Sequence, residues 1–437
     1  MADRESYWQA HLAHIALTDV GMRRANNQDS YTVDLASDQA EWQARGHFFM
    51  VADGMGAHAA GELASKIAVD GVPHLYRKYR ELSAPEAMQK AIVETNSEVY
   101  RRGQANSDFR AMGTTASTLA LLPQGALIGH IGDSRVYCVR GTKLSQLTRD
   151  HSLVWELREA GQLDGDAELA KAVPKNVITR SLGPNAHVQV DVEGPYRVEA
   201  GDTFLLCSDG LMARVTDEEI AAILRHLSPD EAARLLVDLA NLRGGPDNIT
   251  VIVAQVTSEL ATAETDAAPI KIGKVKHDPK SELAFLVVIA VFFLGALLLA
   301  VIGSMPAALG ALTVGLLVAL VAFVIRKRTE AKGIELGSGR KLGKGPYTSA
   351  NCPDPAEFAS TLAKITDDLR RAPGAAKYEI DWAEFDAHYQ SAAEARLNSR
   401  PEDAIRESAR AVSVLMENIR EAMKKDDDDA SDSAIAL

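Results

Sequence analysis

Four aspartates in this chain stand beside apolar, strand-like runs and a glycine or other small residue. Asp53 follows Phe48-Phe49-Met50-Val51-Ala52 and precedes Gly54; Asp133 follows Ile128-Gly129-His130-Ile131-Gly132. Asp209 follows Phe204-Leu205-Leu206-Cys207-Ser208, and Asp247 leads into Asn248-Ile249-Thr250-Val251. One Asp-Gly beside a strand is ordinarily a turn. Four carboxylates at strand ends can converge in space, and the chemistry that uses several close carboxylates is binding of a hard divalent cation such as magnesium or manganese.

The elements that must position them lie in residues 10–257, where short β-runs alternate with helical stretches. Strands are predicted at Phe48–Ala52, Ser117–Leu122, Ala126–Ile131, Arg135–Arg140, Thr203–Cys207 and Ile249–Val256. Helices are predicted at Glu62–Tyr79, Ala84–Gly103, Asp217–Arg225 and Pro229–Leu242, the last with proline in its first turn. Runs of strands with two pairs of helices predict an α+β layered domain rather than a doubly wound sheet.

A chain of 437 residues should hold two or three domains. Its net charge of −13 argues against general nucleic-acid binding. Cys138, Cys207 and Cys352 are far apart, with no CxxC pair, which suits a reducing compartment and offers no zinc site. The start of the chain lacks a basic stretch followed by an apolar one, so no secretory signal is expected.

Residues 283–303 and 307–325 carry no charge. Each tract is about 20 residues, enough for a helix to cross a hydrocarbon core of about 30 Å. Only Ser304-Met305-Pro306 separates them, so they read as a transmembrane helical hairpin. Lys271, Lys274, Lys276 and Lys280 precede it and Arg326, Lys327, Arg328 and Lys332 follow it, which puts both flanks in the cytoplasm. Ala311 and Gly315 are spaced for close helix approach. The expected organisation is a folded domain over 1–258, a linker over 259–282, the hairpin over 283–325 and a glycine-rich tether over 326–353. A helical interaction module follows at 354–423 and an acidic, disordered tail at 424–437. Within the module, Trp382, Phe385, Tyr389 and Ala392 repeat at helical spacing, as do Ile405, Ala409, Val412, Met416, Ile419 and Met423. This pair faintly resembles one tetratricopeptide unit; a protein partner for it is the expectation.

The motifs across the first domain run in a fixed order: Gly21-Met22-Arg23-Arg24-Ala25-Asn26-Asn27-Gln28-Asp29, Val51-Ala52-Asp53-Gly54-Met55-Gly56-Ala57-His58, Gly113-Thr114-Thr115, and Gly129-His130-Ile131-Gly132-Asp133-Ser134. Leu147-Thr148-Arg149-Asp150-His151-Ser152, Ile178-Thr179-Arg180-Ser181-Leu182-Gly183, Cys207-Ser208-Asp209-Gly210 and Asp247-Asn248-Ile249-Thr250 follow. Together they resemble the metal-dependent, type 2C serine/threonine protein phosphatase family in its bacterial branch. The resemblance covers about 250 residues and every main block of that family, and leaves the hairpin and the C-terminal region outside.

That resemblance implies a four-layer α-β-β-α sandwich of two antiparallel sheets flanked by helices. It implies that Asp53 bridges two Mn2+ or Mg2+ ions, that the Gly54 carbonyl is a further ligand, and that Asp209 and Asp247 complete the coordination. Asp133 matches the position that holds a third, weaker metal together with Asp209. Asp29 matches an acid that hydrogen-bonds metal-bound water, and Arg24 the arginine that grips the substrate phosphate. Gln28 stands where many relatives have glutamate, Ala57 replaces a glycine, and Met55 stands where animal members carry a histidine proposed as general acid. The general acid is therefore unassigned, and a structural hydrogen bond suits His58 at least as well. Ser152–Val177 matches a variable flap beside the site.

The chemistry agrees with these roles. A phosphomonoester dianion repels hydroxide; two cations lower the pKa of a bridging water and neutralise charge on the phosphoryl oxygens. The planar fork of Arg24 can hold two phosphate oxygens, with Arg23 as a competitor better read as a solvated charge. The leading expectation is a phosphatase that hydrolyses phosphoserine and phosphothreonine in proteins by a metal-bridged hydroxide. It would work at the cytoplasmic face of the inner membrane, opposing Ser/Thr kinases. The alternatives are a pseudoenzyme scaffold, which loss of a bridging carboxylate would favour, and a phosphatase whose C-terminal helices act as a sensor.

Overall fold

Strands that are apolar on both faces must be covered on both sides, and this governs the first half of the chain. In the computed structural model, which describes residues 11–57, 59–163, 173–174, 176–258, 269–272, 291–310, 312–316, 334–336, 341–371 and 382–435, these strands build two antiparallel sheets. The first joins β1 (Leu12–Asp19), β8 (Arg135–Arg140), β9 (Lys143–Gln146), β11 (Thr203–Cys207), β12 (Ile249–Val256) and β15 (Thr348–Asn351) in the order β1-β12-β11-β8-β9-β15. The second joins β2 (Ser30–Asp34), β3 (His47–Ala52), β6 (Ala116–Leu122), β7 (Gly125–Ile131) and β10 (Asp191–Tyr196) in the order β10-β7-β6-β3-β2. Two short pairs, β4 (Gly54–Met55) with β5 (Gly113–Thr114) and β13 (Ile270–Ile272) with β14 (Ile334–Leu336), complete the strands.

Alternate residues of each strand serve different layers. Phe49, Val51, Leu119, Ile128, Phe204, Leu206, Ile252 and Ala254 fill the space between the sheets. The intervening Leu205, Cys207, Val251 and Val253 face helices instead. After α1 (Gln39–Arg45), the long helices α2 (Ala60–Lys78) and α3 (Ala84–Ala105) pack on the second sheet, where Tyr76 lies 5.4 Å from Phe48, ring centre to ring centre. The short helices α4 (Leu153–Glu159) and α5 (Asp209–Met212) precede α6 (Asp217–His226) and α7 (Pro229–Leu242), which cover the first sheet. Capping boxes, Thr216 with Glu219 and Ser228 with Glu231, start α6 and α7. The result is the α+β arrangement of two antiparallel sheets flanked by helices.

The chain after residue 340 returns to this body. Thr348–Asn351, at the end of the stretch read as a tether, pairs antiparallel with Lys143–Gln146. Ahead of it, the buried Glu193 carboxylate accepts hydrogen bonds from Tyr347 Oη (2.5 Å) and Gly345 N (3.2 Å). Helices α8 (Pro355–Arg371), α9 (Trp382–Leu397) and α10 (Pro401–Ile435) follow. Phe358, Leu362, Ile405, Ala409, Val412 and Met416 share one core with Leu235, Leu236 and Leu239 of α7. The acidic block Asp426–Asp429, read from its composition as a disordered tail, lies within helix α10.

By contacts, residues 1–268 and 339–437 form one unit and residues 269–338 another. In the second unit, helix covers residues 291–301, 305–310 and 312–316, with a turn between the first two where Ser304 N donates to Leu299 O. A Cβ on Gly315 would lie 3.1 Å from Phe292 Cβ, so the two arms approach closely there. Among the described residues no helix is long and apolar enough to cross a membrane. The transmembrane hairpin expected over 283–303 and 307–325 is therefore not seen, and residues 283–290, 311 and 317–325 of it lie outside the described residues.

Candidate active site

Each of the predicted carboxylates sits close to one end of a strand: Asp53, Asp133 and Asp209 follow strands, and Asp29 and Asp247 precede them. Asp53 follows β3. Its N–H donates to Thr115 Oγ1 (2.8 Å), and its carbonyl accepts from Thr115 N and Thr114 Oγ1 (both 2.9 Å). Gly54 N donates to Gln28 O at 3.2 Å. A side chain at Gly54 is excluded, because its Cβ would lie 2.2 Å from the Gly61 carbonyl oxygen at the start of α2. Asp209 opens α5 directly after β11, and Asp133 follows β7.

Asp29 is tied in from the other sheet: Ser208 Oγ donates to its Oδ2 at 2.7 Å, while Thr250 N donates to Ser208 Oγ at 2.9 Å. Asp247 leads into β12 and receives Arg24 Nη2 at 2.7 Å. Between them Asn248 acts as a staple. Its Nδ2 donates to Val20 O (2.9 Å) and Asn26 O (3.0 Å), and its Oδ1 accepts from Gln28 N (2.9 Å). Sequence reasoning placed Asn248, Thr114, Thr115 and Ser208 only inside motifs; their hydrogen bonds show them to be what holds the carboxylates. Arg23 reaches Gly244 instead, where a Cβ would lie 3.6 Å from its Nη2. His58 and much of the flap, residues 164–172 and 175, lie outside the described residues.

The electrostatics bring the five carboxylates together. Burial, followed by the nearby Asp29, Asp209, Asp133 and Asp247, holds the Asp53 carboxyl well above the usual range. Burial raises Asp29 to about 7, against the hydrogen bond from Ser208 and with help from Asp209 and Asp247. Asp133 is pushed up to about 8 by burial and by Asp209. Asp209 is raised by burial and by Asp247, with a hydrogen bond to Asp53 opposing. Several carboxylates in one low-dielectric pocket cannot all ionise without compensating positive charge.

The residue set fits a hard cation. Asp29 Oδ1, Asp133 Oδ1 and Asp209 Oδ1 are buried with no hydrogen-bond partner, and all the donors are oxygens, as magnesium and manganese prefer. Among the described residues no group of three or more His, Cys, Asp or Glu side chains is placed to hold one metal ion.

Residues 22–239 match the family model described as Protein phosphatase 2C. Protein phosphatase PhpP of Streptococcus pneumoniae is 40% identical over 250 residues, covering 56% of this chain and 97% of that protein. A putative protein phosphatase 2C-type of Streptococcus pyogenes is 38% identical over 246 residues, covering 55% of this chain and 96% of its own. The crystal structure of the Mycobacterium tuberculosis serine/threonine phosphatase PstP/Ppp is 34% identical, covers 56% of this chain and 99% of that one, and has a TM-score of 0.49. The chain belongs to the protein phosphatase 2C family. It is a protein serine/threonine phosphatase, a hydrolase of phosphoproteins.

Proposed function

We propose that the enzyme hydrolyses phosphoserine and phosphothreonine with two Mn2+ or Mg2+ ions held by Asp53, the Gly54 carbonyl, Asp209 and Asp247, with Asp133 serving a third. The observation that carries this reading is the set of buried carboxylates, brought from separate strand ends, that raise one another's affinity for positive charge. When bound, the ions supply an acidified water and neutralise phosphoryl charge. Asp29, fixed by Ser208, orients a water through its unpartnered Oδ1. Arg24 is half exposed and already beside Asp247, so its fork can turn to phosphate oxygens at the mouth of the site. A solved relative, the catalytic domain of the phosphatase PstP, is described as a complex with two manganese ions.

The two uncharged tracts, 283–303 and 307–325, with basic residues on both flanks, support a cytoplasmic membrane location, two-pass, with the catalytic body opposing Ser/Thr kinases on that side. Val291, Leu294, Leu297, Leu298, Val301 and Ile302 expose their side chains, and a contiguous apolar patch of that kind marks a membrane or protein contact.

The test is hydrolysis of a phosphothreonine peptide by the full chain in mild detergent. Activity should require Mn2+ or Mg2+ and vanish in Asp209→Asn. Turnover undiminished by chelation, or retained in that variant, overturns the metal reading. Recovery of the protein in the soluble fraction after cell lysis overturns the membrane reading alone.

A further inference from the structure

Helix α10 packs on α7 and touches the end of β1. Ser413 Oγ donates to Asp238 Oδ2 at 2.8 Å, and Arg420 Nη1 lies 2.9 Å from Asp238 Oδ1 and 3.7 Å from Asp19 Oδ2. Asp238, on α7, is fully buried, and Arg420 is about one-third exposed. Asp19 ends β1 and is a hub: its Oδ1 accepts from Gly21 N (2.8 Å) and from Asn241 Nδ2 (3.0 Å) of α7.

Gly21 stands three residues before Arg24. Met22 N donates to Gly245 O at 2.9 Å, and Gly21, at φ +79°, is so close to the Asp247 carbonyl that a Cβ would lie 2.2 Å from its oxygen. The two loops clamped together here are those that carry Arg24 and Asp247. Their side chains meet at 2.7 Å.

We infer that Arg420, on the C-terminal helix, is a positioning residue for the phosphate-gripping loop: by pinning Asp19 and Asp238 it sets where Arg24 stands. The inference rests on Arg24 binding substrate phosphate. Asp238 reports the same linkage, since burial lifts its carboxyl to about 6 while Arg420 and Ser413 pull it down. Without the guanidinium, two carboxylates face each other, and Asp19 turns away from Gly21. Glu417 and Glu421 on the same helix and Arg234 on α7 line the adjoining cleft of about 320 Å3. That cleft gives a substituted side chain room, so Arg420→Met removes the charge without overpacking.

The experiment uses the full chain in detergent with saturating Mn2+. For Arg420→Met, KM for a phosphothreonine peptide and Ki for inorganic phosphate should each rise about three- to tenfold, the size usual for coupling through a packed network, with kcat nearly unchanged. Arg420→Lys should recover part of the loss. In an Arg24→Ala background, Arg420→Met should add nothing to KM, because its effect passes through Arg24. A fall in kcat with KM unmoved, or the full effect persisting in that background, overturns the inference. If Arg24→Ala alone leaves KM unchanged, the phosphate role of Arg24 has failed instead. Should Arg420→Met not fold, Ser413→Ala loosens the same carboxylate and must raise KM in the same direction; an unmoved KM there overturns the inference.

Discussion

Asp29 gives the sharpest quantitative test, because burial raises its carboxyl from 3.8 to about 7. Its folded value exceeds its unfolded one, so the folded state binds the proton more tightly and loses stability as pH rises from the unfolded value to the folded one. Each unit is worth about 1.4 kcal/mol. In chelator, ionisation of Asp29 therefore destabilises the fold increasingly as pH rises from about 4, by on the order of a few kcal/mol in all, reaching its plateau above about pH 7. Asp29→Asn removes the titration while its amide oxygen still accepts from Ser208 Oγ, the contact now made at 2.7 Å. Urea unfolding in EDTA should show the variant more stable than the wild type, by an amount that grows from pH 5 to pH 8. Saturating Mn2+ should shrink that advantage at pH 8, because the cation removes the repulsion the substitution relieves. A variant less stable than wild type in EDTA at pH 8, or a difference that does not grow with pH, refutes the argument.

Asn248→Ala removes three hydrogen bonds that tie the Val20–Gln28 segment to the residue beside Asp247; Mn2+ affinity by calorimetry should fall roughly 10–100-fold, as for other residues that orient ligands. Tyr347→Phe takes a donor from the buried Glu193 carboxylate and should lower stability by about 1–3 kcal/mol in urea unfolding. Leu362→Ala opens a cavity in the core shared by α7, α8 and α10, and should cost about 2–5 kcal/mol by the same measurement.

The central strands and the four long flanking helices were legible because apolar runs bounded by Gly, Asp and Ser signal both-face burial. Arg135–Arg140, Thr203–Cys207, Ile249–Val256 and Pro229–Leu242 fall on their predicted bounds. Asp191–Tyr196 was missed: it holds Gly194 and Pro195, runs at a sheet edge, and shifts register between Glu193 and Tyr196, where such residues are tolerated. Leu12–Asp19 was missed too, since its half-buried alternation through His14 and Thr18 carries no strong apolar run. Helix Pro355–Arg371 had a readable stripe in Phe358, Leu362 and Thr366. Thr348–Asn351 had none, because its pairing is decided by the open edge of Lys143–Gln146 rather than by its own side chains. The carboxylates were legible as strand-end motifs; the staple made by Asn248 was not, since its partners lie more than 200 residues away in the chain.

The return of residues 341–435 to the first unit changes what kind of object the intervening stretch is. Residues 269–338 are an inserted loop, tied at both ends to one body, rather than an anchor hung from a finished enzyme. Cutting the loop would leave two fragments held side by side by a β-ladder and a common core, and discarding the second would strip the far helical layer of its cover. The helical layer over the first sheet is thus completed by chain from both sides of the loop.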